Sequence, residues 1–285
     1  MDSVRAIVQP ITQNLPAPIR DLGVSIVGET CYNTLLLDVD LTSTECIKLA
    51  ISKGLGIGII AASSIVKVPQ ILKLISSRSA SGISFLSYLL ETSAYLISLA
   101  YNVRQGFPFS TYGETGLILV QNVVIAVLVL NYSGRATTAA LFVAGLAASA
   151  ITLFSKDILD MQTLGYLQAG AGVLGVASKL PQILAVWQEG GTGQLSAFAV
   201  FNYLAGSLSR IFTTLQEVDD KLILYGFIAG FVLNAILAAQ MIFYWNAPAK
   251  KSTLGAQKEK LPLAPAAGST TATPKGKNPT TRRRG

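Results

Sequence analysis

Residues 67–74 read KVPQILKL, and residues 179–186 read KLPQILAV. In each stretch a lysine lies two positions before a Pro-Gln pair, and the surrounding run is apolar. A proline inside a helix removes one backbone donor and distorts the preceding turn. The two stretches therefore predict breaks in two long helices, at Pro69 and at Pro181.

The two breaks belong to an internal repeat. Sliding the chain against itself by 112 residues superposes Pro69 on Pro181 and Gln70 on Gln182 without a gap. The same offset aligns three further pairs: Lys67 with Lys179, Gly58 with Gly170 and Ser84 with Ser196. Self-similarity at a fixed offset indicates repeated supersecondary units.

The composition indicates a membrane protein. Of the 285 residues, 51% are hydrophobic and 13% are charged, and the mean hydropathy is +0.51. A helix needs about 20 mostly apolar residues to cross a bilayer. We predict seven spans, at roughly residues 49–74, 83–101, 114–132, 137–154, 162–187, 195–215 and 221–245.

The fold class that follows is an all-α membrane bundle of seven transmembrane helices in a three-plus-one-plus-three plan. The first and fifth spans run in the same direction, so the two repeats are parallel. The predicted segments are an N-terminal segment (1–46), a first three-helix repeat (47–136), a linker helix and loop (137–161), a second repeat (162–246) and a disordered basic tail (247–285).

Lysine and arginine residues set the predicted orientation, because cytosolic loops are enriched in them. They cluster in the tail and in the loops that follow the first and third spans, whereas the other side is mixed to acidic. This places the C-terminus in the cytosol and the N-terminus on the opposite side. The basic tail favours anionic membrane lipids as a partner rather than nucleic acid.

The chain has two cysteines and no histidine. Cys31 and Cys46 both precede the first span, and in an oxidising lumen they either form a disulfide or remain free thiols. Without histidine or a cysteine cluster, we expect no metal site and no cofactor.

Four stretches resemble one known family. They are SKGLGIGIIAASSIVKVPQI (52–71), GFPFSTYGE (106–114), GGTGQLSAFAVFNYLAGSLSRIFTTLQE (190–217) and AAQMIFYWNA (238–247). Together they resemble the mannose-P-dolichol utilization defect proteins, a branch of the PQ-loop proteins related to SWEET sugar transporters and cystinosin. The ending TRRRG (281–285) departs from the dilysine-type ending of some relatives.

The resemblance implies a location and a role. It implies a multi-pass protein of the endoplasmic reticulum membrane that is needed for using dolichol-phosphate-mannose and dolichol-phosphate-glucose in lumenal N-glycan and GPI-anchor assembly. The implied partners are these lipid-linked sugars and lumenal glycosyltransferases.

The Pro-Gln pairs are candidate hinges. The glutamine beside each proline carries donors and an acceptor that can bond to the backbone groups freed by the proline. A static kink that only shapes packing is the alternative. The candidate hinge residues are Pro69, Gln70, Pro181 and Gln182.

Ionisable residues within spans are costly and usually face the bundle interior. Lys67 and Lys179 either extend to the headgroups or hold a lipid phosphate. Glu91 needs a partner, a proton or a ligand hydroxyl, and Arg210 has Glu217 or Asp219 as candidate partners. Arg210 is alternatively a further candidate for binding the lipid phosphate. The remaining substrate candidates are two amides, each of which is either a ligand contact or a link between helices: Asn122 and Asn202.

Three functions compete. The first is a non-enzymatic carrier or helper that moves or presents a dolichol-linked sugar, and the second is a transporter of a small soluble solute such as a sugar or an amino acid. The third is a membrane glycosyltransferase with loop carboxylates at Asp38, Asp40, Asp219 and Asp220. Acidic loop residues are usually solvated and no large lumenal domain is predicted, so we expect no enzyme.

Overall fold

The computed structural model describes residues 9–80, 83–191 and 197–245, and the regular structure within these ranges is helical. The predicted all-α class is confirmed. The predicted basic tail lies outside the described residues. The helices are α1 (Ala17–Val27), α2 (Glu29–Tyr32), α3 (Thr44–Ser63), α4 (Val68–Ser77), α5 (Phe85–Gln105), α6 (Phe109–Tyr132), α7 (Ala136–Phe154), α8 (Met161–Ala177), α9 (Leu180–Glu189), α10 (Ala197–Glu217) and α11 (Lys221–Phe243), with a π-helical segment at Asn33–Leu37.

Five helical segments of the described chain are long and apolar enough to cross a membrane. They are Thr44–Ser77, Phe109–Tyr132, Ala136–Phe154, Met161–Gln188 and Lys221–Phe243. The other two predicted spans correspond to α5 and α10, which have 21 residues each. At 1.5 Å per residue these helices are long enough for a bilayer of about 30 Å. Their low hydropathy reflects internal polar side chains that bond to neighbouring helices.

The first and fifth spans are broken where the sequence predicts. Helix α3 ends at Ser63 and α4 begins at Val68, while α8 ends at Ala177 and α9 begins at Leu180. In both cases the proline lies in the first turn of the second helix. A proline is tolerated there because the first N–H groups of a helix lack intrahelical acceptors.

The two repeats pack in the same way. In each repeat the third helix contacts the other two, so α6 packs against α3, α4 and α5, and α11 packs against α8, α9 and α10. Between the repeats, α3 contacts α10 and α5 contacts α8. The first helix of each repeat therefore packs on the second helix of the other, as expected for parallel repeats related by a pseudo-twofold axis. The linker helix α7 packs on α5 and α6.

Successive spans run in opposite directions, so the bundle has two opposite faces at which helices begin and end. We call the face at which α3, α6, α8 and α11 begin the N-face, and the opposite face, which contains the two helix breaks, the PQ-face. The N-terminal segment with α1 and α2 lies at the N-face, because it leads directly into α3.

The best-packed region is in the first repeat. Ile125 and Ala126 of α6 are fully buried with Val129 and Leu130, and Phe142 of α7 packs against this cluster. Close approach of α3 to α6 depends on Gly56, where an added Cβ would lie 2.6 Å from the Ser110 carbonyl oxygen. This contact brings the middle of α3 against the first turn of α6.

The N-terminal segment is tied to the first span. Cys31 in α2 and Cys46 in the first turn of α3 form a disulfide that closes a separation of 15 residues. Tyr32 is buried, and its ring occupies the space beside Gly23 of α1.

We expect Cys31 and Cys46 to resist thiol reagents until a reductant is added. A disulfide sulfur is not a nucleophile, so a maleimide should label neither residue in unfolded but unreduced protein and both after reduction. The Cys31→Ser variant, which leaves Cys46 unpaired, is the positive control for labelling. Equal labelling of the unreduced wild type and this variant would contradict the pairing.

Candidate functional site

A glutamine of a neighbouring helix bridges the first helix break. Gln121 of α6 accepts a hydrogen bond from the backbone N–H of Lys67 at 2.9 Å. Its amide nitrogen donates to the Ser63 carbonyl at 2.9 Å and to the Leu117 carbonyl at 3.0 Å. Gln121 thus bonds to backbone groups on both sides of the break and holds α6 against it.

The glutamine of the first Pro-Gln pair links two helices instead of bridging the break. The Oε1 atom of Gln70 accepts from the Tyr88 hydroxyl at 2.8 Å, which links α4 to α5. The expected bonding of freed backbone groups by Gln70 is therefore replaced by bonding from Gln121. In the second repeat, Gln240 of α11 donates to the Ile183 carbonyl at 3.1 Å, again from the third helix of its repeat.

Lys67 and Glu91 form an ion pair inside the first repeat. The Nζ atom lies 3.1 Å from Oε1 and 3.3 Å from Oε2 of Glu91. Only 7% of Lys67 is exposed, and its ammonium also lies 5.3 Å from the centre of the Tyr88 ring. Lys67 therefore points into the repeat rather than toward the headgroups, and the partner that Glu91 needs is Lys67.

Lys179 has different surroundings in the second repeat. Its Nζ donates to Oδ1 of Asn234 at 2.6 Å and lies 5.8 Å from the centre of the Tyr203 ring. The Asn234 amide nitrogen donates to the Tyr203 carbonyl at 3.0 Å and to the Ser207 hydroxyl at 3.1 Å. Among the described residues, no carboxylate lies within ion-pair distance of Lys179.

A network at the N-face joins the two repeats through Glu217, at the end of α10. Its carboxylate pairs with Lys53 of α3 at 2.6 Å and accepts from the Ser110 hydroxyl of α6 at 2.6 Å. Ser52 donates to the other carboxylate oxygen, and Lys53 also donates to the Ser110 hydroxyl at 3.1 Å. One carboxylate of the second repeat is thus bonded to two helices of the first.

Arg210 extends this network toward the middle of the bundle. It forms an ion pair with Glu114 of α6 and donates to the Ser110 carbonyl at 3.2 Å. The sequence suggested Glu217 or Asp219 as its partner, and the structure places Glu114 there instead. Arg210 lies almost two turns before the end of α10, so its side chain meets the first turns of α6 rather than the following loop.

The amide candidates do not lie in one place. Asn122 of α6 is fully buried, and neither atom of its amide has a hydrogen-bond partner in the described part of the chain. The Thr92 hydroxyl of α5 is likewise buried without a partner there. Asn202 lies at an exposed position of α10.

The loop carboxylates of the enzyme hypothesis have structural contacts. Asp220 caps α11, accepting from the N–H groups of Leu222 at 2.8 Å and Ile223 at 3.1 Å. It also accepts from the Tyr101 hydroxyl at 2.6 Å. Asp40 accepts from the N–H and hydroxyl of Thr42 in its own turn. A cap and a turn account for these two groups.

A third aspartate at the N-face is a helix cap outside the spans. Asp160 accepts from the Thr163 hydroxyl at 2.6 Å and from the Thr163 N–H at 2.9 Å. These two donors favour the charged carboxylate and hold the pKa of Asp160 below its ordinary value.

Sequence reasoning missed Lys53, Glu114 and Ser110. The signal for the first two was available, since Lys53 lies in the first predicted span and Glu114 begins the third. A charge in a span calls for a partner of opposite sign. Serine at a helix start gives no comparable signal, because its role depends on the neighbouring helices.

Comparison with known proteins gives two positive results. The model of the PQ loop repeat matches residues 51–111 and 163–223, two stretches that begin 112 residues apart like the repeat found in the sequence. The chain is 30% identical over 183 residues to human solute carrier family 66 member 3, covering 62% of this chain and 86% of that protein. No solved structure is a significant match.

Proposed function

Because the chain belongs to the PQ-loop repeat family, we propose that it is a non-enzymatic protein of the endoplasmic reticulum membrane that moves or presents dolichol-phosphate-mannose and dolichol-phosphate-glucose. These lipid-linked sugars would then serve lumenal glycosyltransferases in N-glycan and GPI-anchor assembly. The four stretches that resemble the mannose-P-dolichol utilization defect proteins support this substrate class. In this proposal the N-face is lumenal and the PQ-face is cytosolic.

The observation that carries the proposal is the one-sided linkage of the repeats. At the N-face, Glu217 and Arg210 of the second repeat bond to α3 and α6 of the first. Tyr101 adds a hydrogen bond to Asp220 at the same face. Such a linkage ties the two repeats together at the N-face.

The PQ-face is organised differently. The polar groups around the helix breaks, Lys67, Gln70 and Lys179, bond to partners in their own repeats. Each repeat is thus internally bonded at this face while the bonds between repeats lie at the other. Transporters of this kind work by moving one repeat against the other around a fixed site. The arrangement fits a headgroup that enters from the PQ-face.

A lipid substrate fits the second repeat in particular. Leu180 and Leu184 follow Lys179 along α9, and nearly half of the surface of each is exposed. A polyprenyl chain can remain beside this apolar surface in the bilayer while its phosphate approaches the ammonium of Lys179. A soluble solute has no use for such a lateral approach.

The second candidate function is transport of a small soluble solute. The similarity to a solute carrier favours it, and so does the Asn122 amide, whose donors and acceptor suit the hydroxyl groups of a neutral ligand. A neutral sugar, however, gives no counter-charge to Lys179, whereas an amino acid would give its carboxylate rather than a phosphate. The two functions therefore differ in whether activity depends on a phosphate.

Cells deficient in the use of dolichol-phosphate-mannose provide a test. We expect the wild-type chain to restore full-length N-glycan precursors and GPI anchors. The double variant Pro69→Ala/Pro181→Ala, in which both helices can continue through the break, should restore much less while accumulating to the same level.

One result would contradict the proposed substrate class, and another would contradict only the hinge role of the helix breaks. Failure of the wild-type chain to restore mannosylation at normal abundance would contradict the substrate class. Full restoration by the double variant would leave the substrate class intact and assign the helix breaks to packing alone.

A further inference from the structure

Within the described residues, the lysine that precedes the Pro-Gln pair has a counter-charge in the first repeat and none in the second. The described residues form three ion pairs, which neutralise the cations Lys53, Lys67 and Arg210. Lys179 is partly buried at the break between α8 and α9, and its partner Asn234 is neutral.

The residues at one pair of equivalent positions in the two repeats account for this difference. Glu91 and Tyr203 occupy equivalent positions, 112 residues apart. Glu91 supplies the carboxylate for Lys67, whereas at the Tyr203 position the ammonium of Lys179 meets an aromatic ring. An aromatic face attracts a cation, but it does not neutralise the charge. Within the described residues, the ammonium of Lys179 therefore has no carboxylate beside it.

From this asymmetry we propose that the second repeat holds a binding site for one anionic phosphate headgroup at Lys179, and that Glu91 closes the equivalent position in the first repeat. The site rests on the proposed function, and it assigns the phosphate to one repeat rather than to both. Its ligand class is a polyprenyl lipid that carries a phosphate monoester or diester.

The geometry leaves Lys179 able to bind such a group. An ammonium has three donor hydrogens, and the hydrogen bond to Asn234 uses one of them. The orientation of Asn234 is fixed, since its own amide nitrogen donates to Tyr203 and Ser207. The remaining donors can form charge-assisted hydrogen bonds to phosphate oxygens. At Lys67, Glu91 takes two of the three donor hydrogens and neutralises the charge, so a phosphate bound there would lie beside a carboxylate.

A direct test is equilibrium binding to full-length protein in nanodiscs, measured by native mass spectrometry. The probes are a short-chain polyprenyl phosphate, the matching polyprenol and inorganic phosphate. We expect one polyprenyl phosphate per wild-type chain, with weaker binding of the polyprenol and of inorganic phosphate. Lys179→Gln should weaken polyprenyl phosphate binding by about tenfold or more, which corresponds to about 1.4 kcal/mol.

A second variant keeps the lysine. Asn234→Asp has nearly the same shape and places a carboxylate beside Lys179, which converts the site to the type seen at Lys67. It should weaken phosphate binding as strongly as Lys179→Gln does. Lys179→Arg should retain much of the affinity, because the charge is kept. The matched control Lys67→Met/Glu91→Leu, which removes the ion pair of the first repeat, should bind as the wild type does.

The contrary outcomes are distinct. Wild-type affinity in both Lys179→Gln and Asn234→Asp would overturn the site, as would a comparable loss in the Lys67→Met/Glu91→Leu control. Binding of inorganic phosphate as tight as that of the lipid would overturn the lipid headgroup as the ligand. Phosphate binding that depends on Lys179, in a protein that neither moves a lipid-linked sugar nor restores its use in deficient cells, would uphold the site and reject the proposed function.

Discussion

Replacing Glu91 alone with leucine is expected to lower the free energy of unfolding by about 3–5 kcal/mol, the usual cost of removing one partner of a buried ion pair. The change removes the counter-ion of Lys67, whose side chain is only 9% exposed. Lys67→Met should cost a similar amount, because it leaves the Glu91 carboxylate unpaired at a side-chain exposure of 8%. Unfolding in detergent, followed by helical circular dichroism, measures both effects.

The double variant Lys67→Met/Glu91→Leu is the matched control. Replacing a buried ion pair with apolar residues of similar volume is often neutral or stabilising, so the double variant should be more stable than either single variant. Single variants that are no less stable than the double variant would show that the pair is exposed to water or to headgroups. In that case Lys67 would again be a candidate for phosphate binding.

The two repeats thus have the same helical plan and different chemistry. In the first repeat, the lysine, the glutamate and the bridging Gln121 are all bonded to one another or to the backbone. In the second, no described carboxylate pairs with Lys179, and we propose that its charge binds the ligand. This division explains why equivalent lysines are not expected to respond equally to substitution.

The overall architecture could be predicted from the sequence because bilayer physics leaves few choices. Long apolar runs must be helical, and the 112-residue offset locates both helix breaks to within a few residues. Helices α5 and α10 were predicted as spans even though their polar side chains lower their hydropathy. They were predicted from the length of their mostly apolar runs, and the repeat then placed each as the second helix of its unit.

The partners of the charged residues could not be predicted in the same way. Glu91 and Lys67 were each recognised as needing an explanation, but pairing them requires the relative rotation of α5 and α3. Arg210 was assigned to its nearest acidic neighbours in sequence, whereas Glu114 is 96 positions away along the chain. Packing between helices decided these contacts.

The role of the Pro-Gln glutamine was misassigned for a related reason. Proximity in sequence suggested that Gln70 would bond to the backbone beside Pro69. The break is instead bridged from outside by Gln121, which reaches both Ser63 and Lys67. A glutamine on a neighbouring helix can face the break directly, while Gln70 turns toward Tyr88 on α5.

The proposed function is tested most directly by transbilayer movement of dolichol-phosphate-mannose in vesicles reconstituted with the purified chain. Mannose-labelled lipid is placed in the outer leaflet, and the protected fraction is followed with time. Protein-free vesicles give the background, and uptake of free mannose is measured in parallel. The ratio of the two rates separates a lipid carrier from a carrier of soluble sugar.

We predict that the chain speeds the movement of the lipid-linked sugar by about tenfold or more, a barrier reduction of about 1.4 kcal/mol or more, and leaves free mannose at background. The large effect follows because the phosphate charge is otherwise costly to bring into the bilayer. Uptake of free mannose with no acceleration of the lipid would contradict the proposal and favour the soluble-solute transporter.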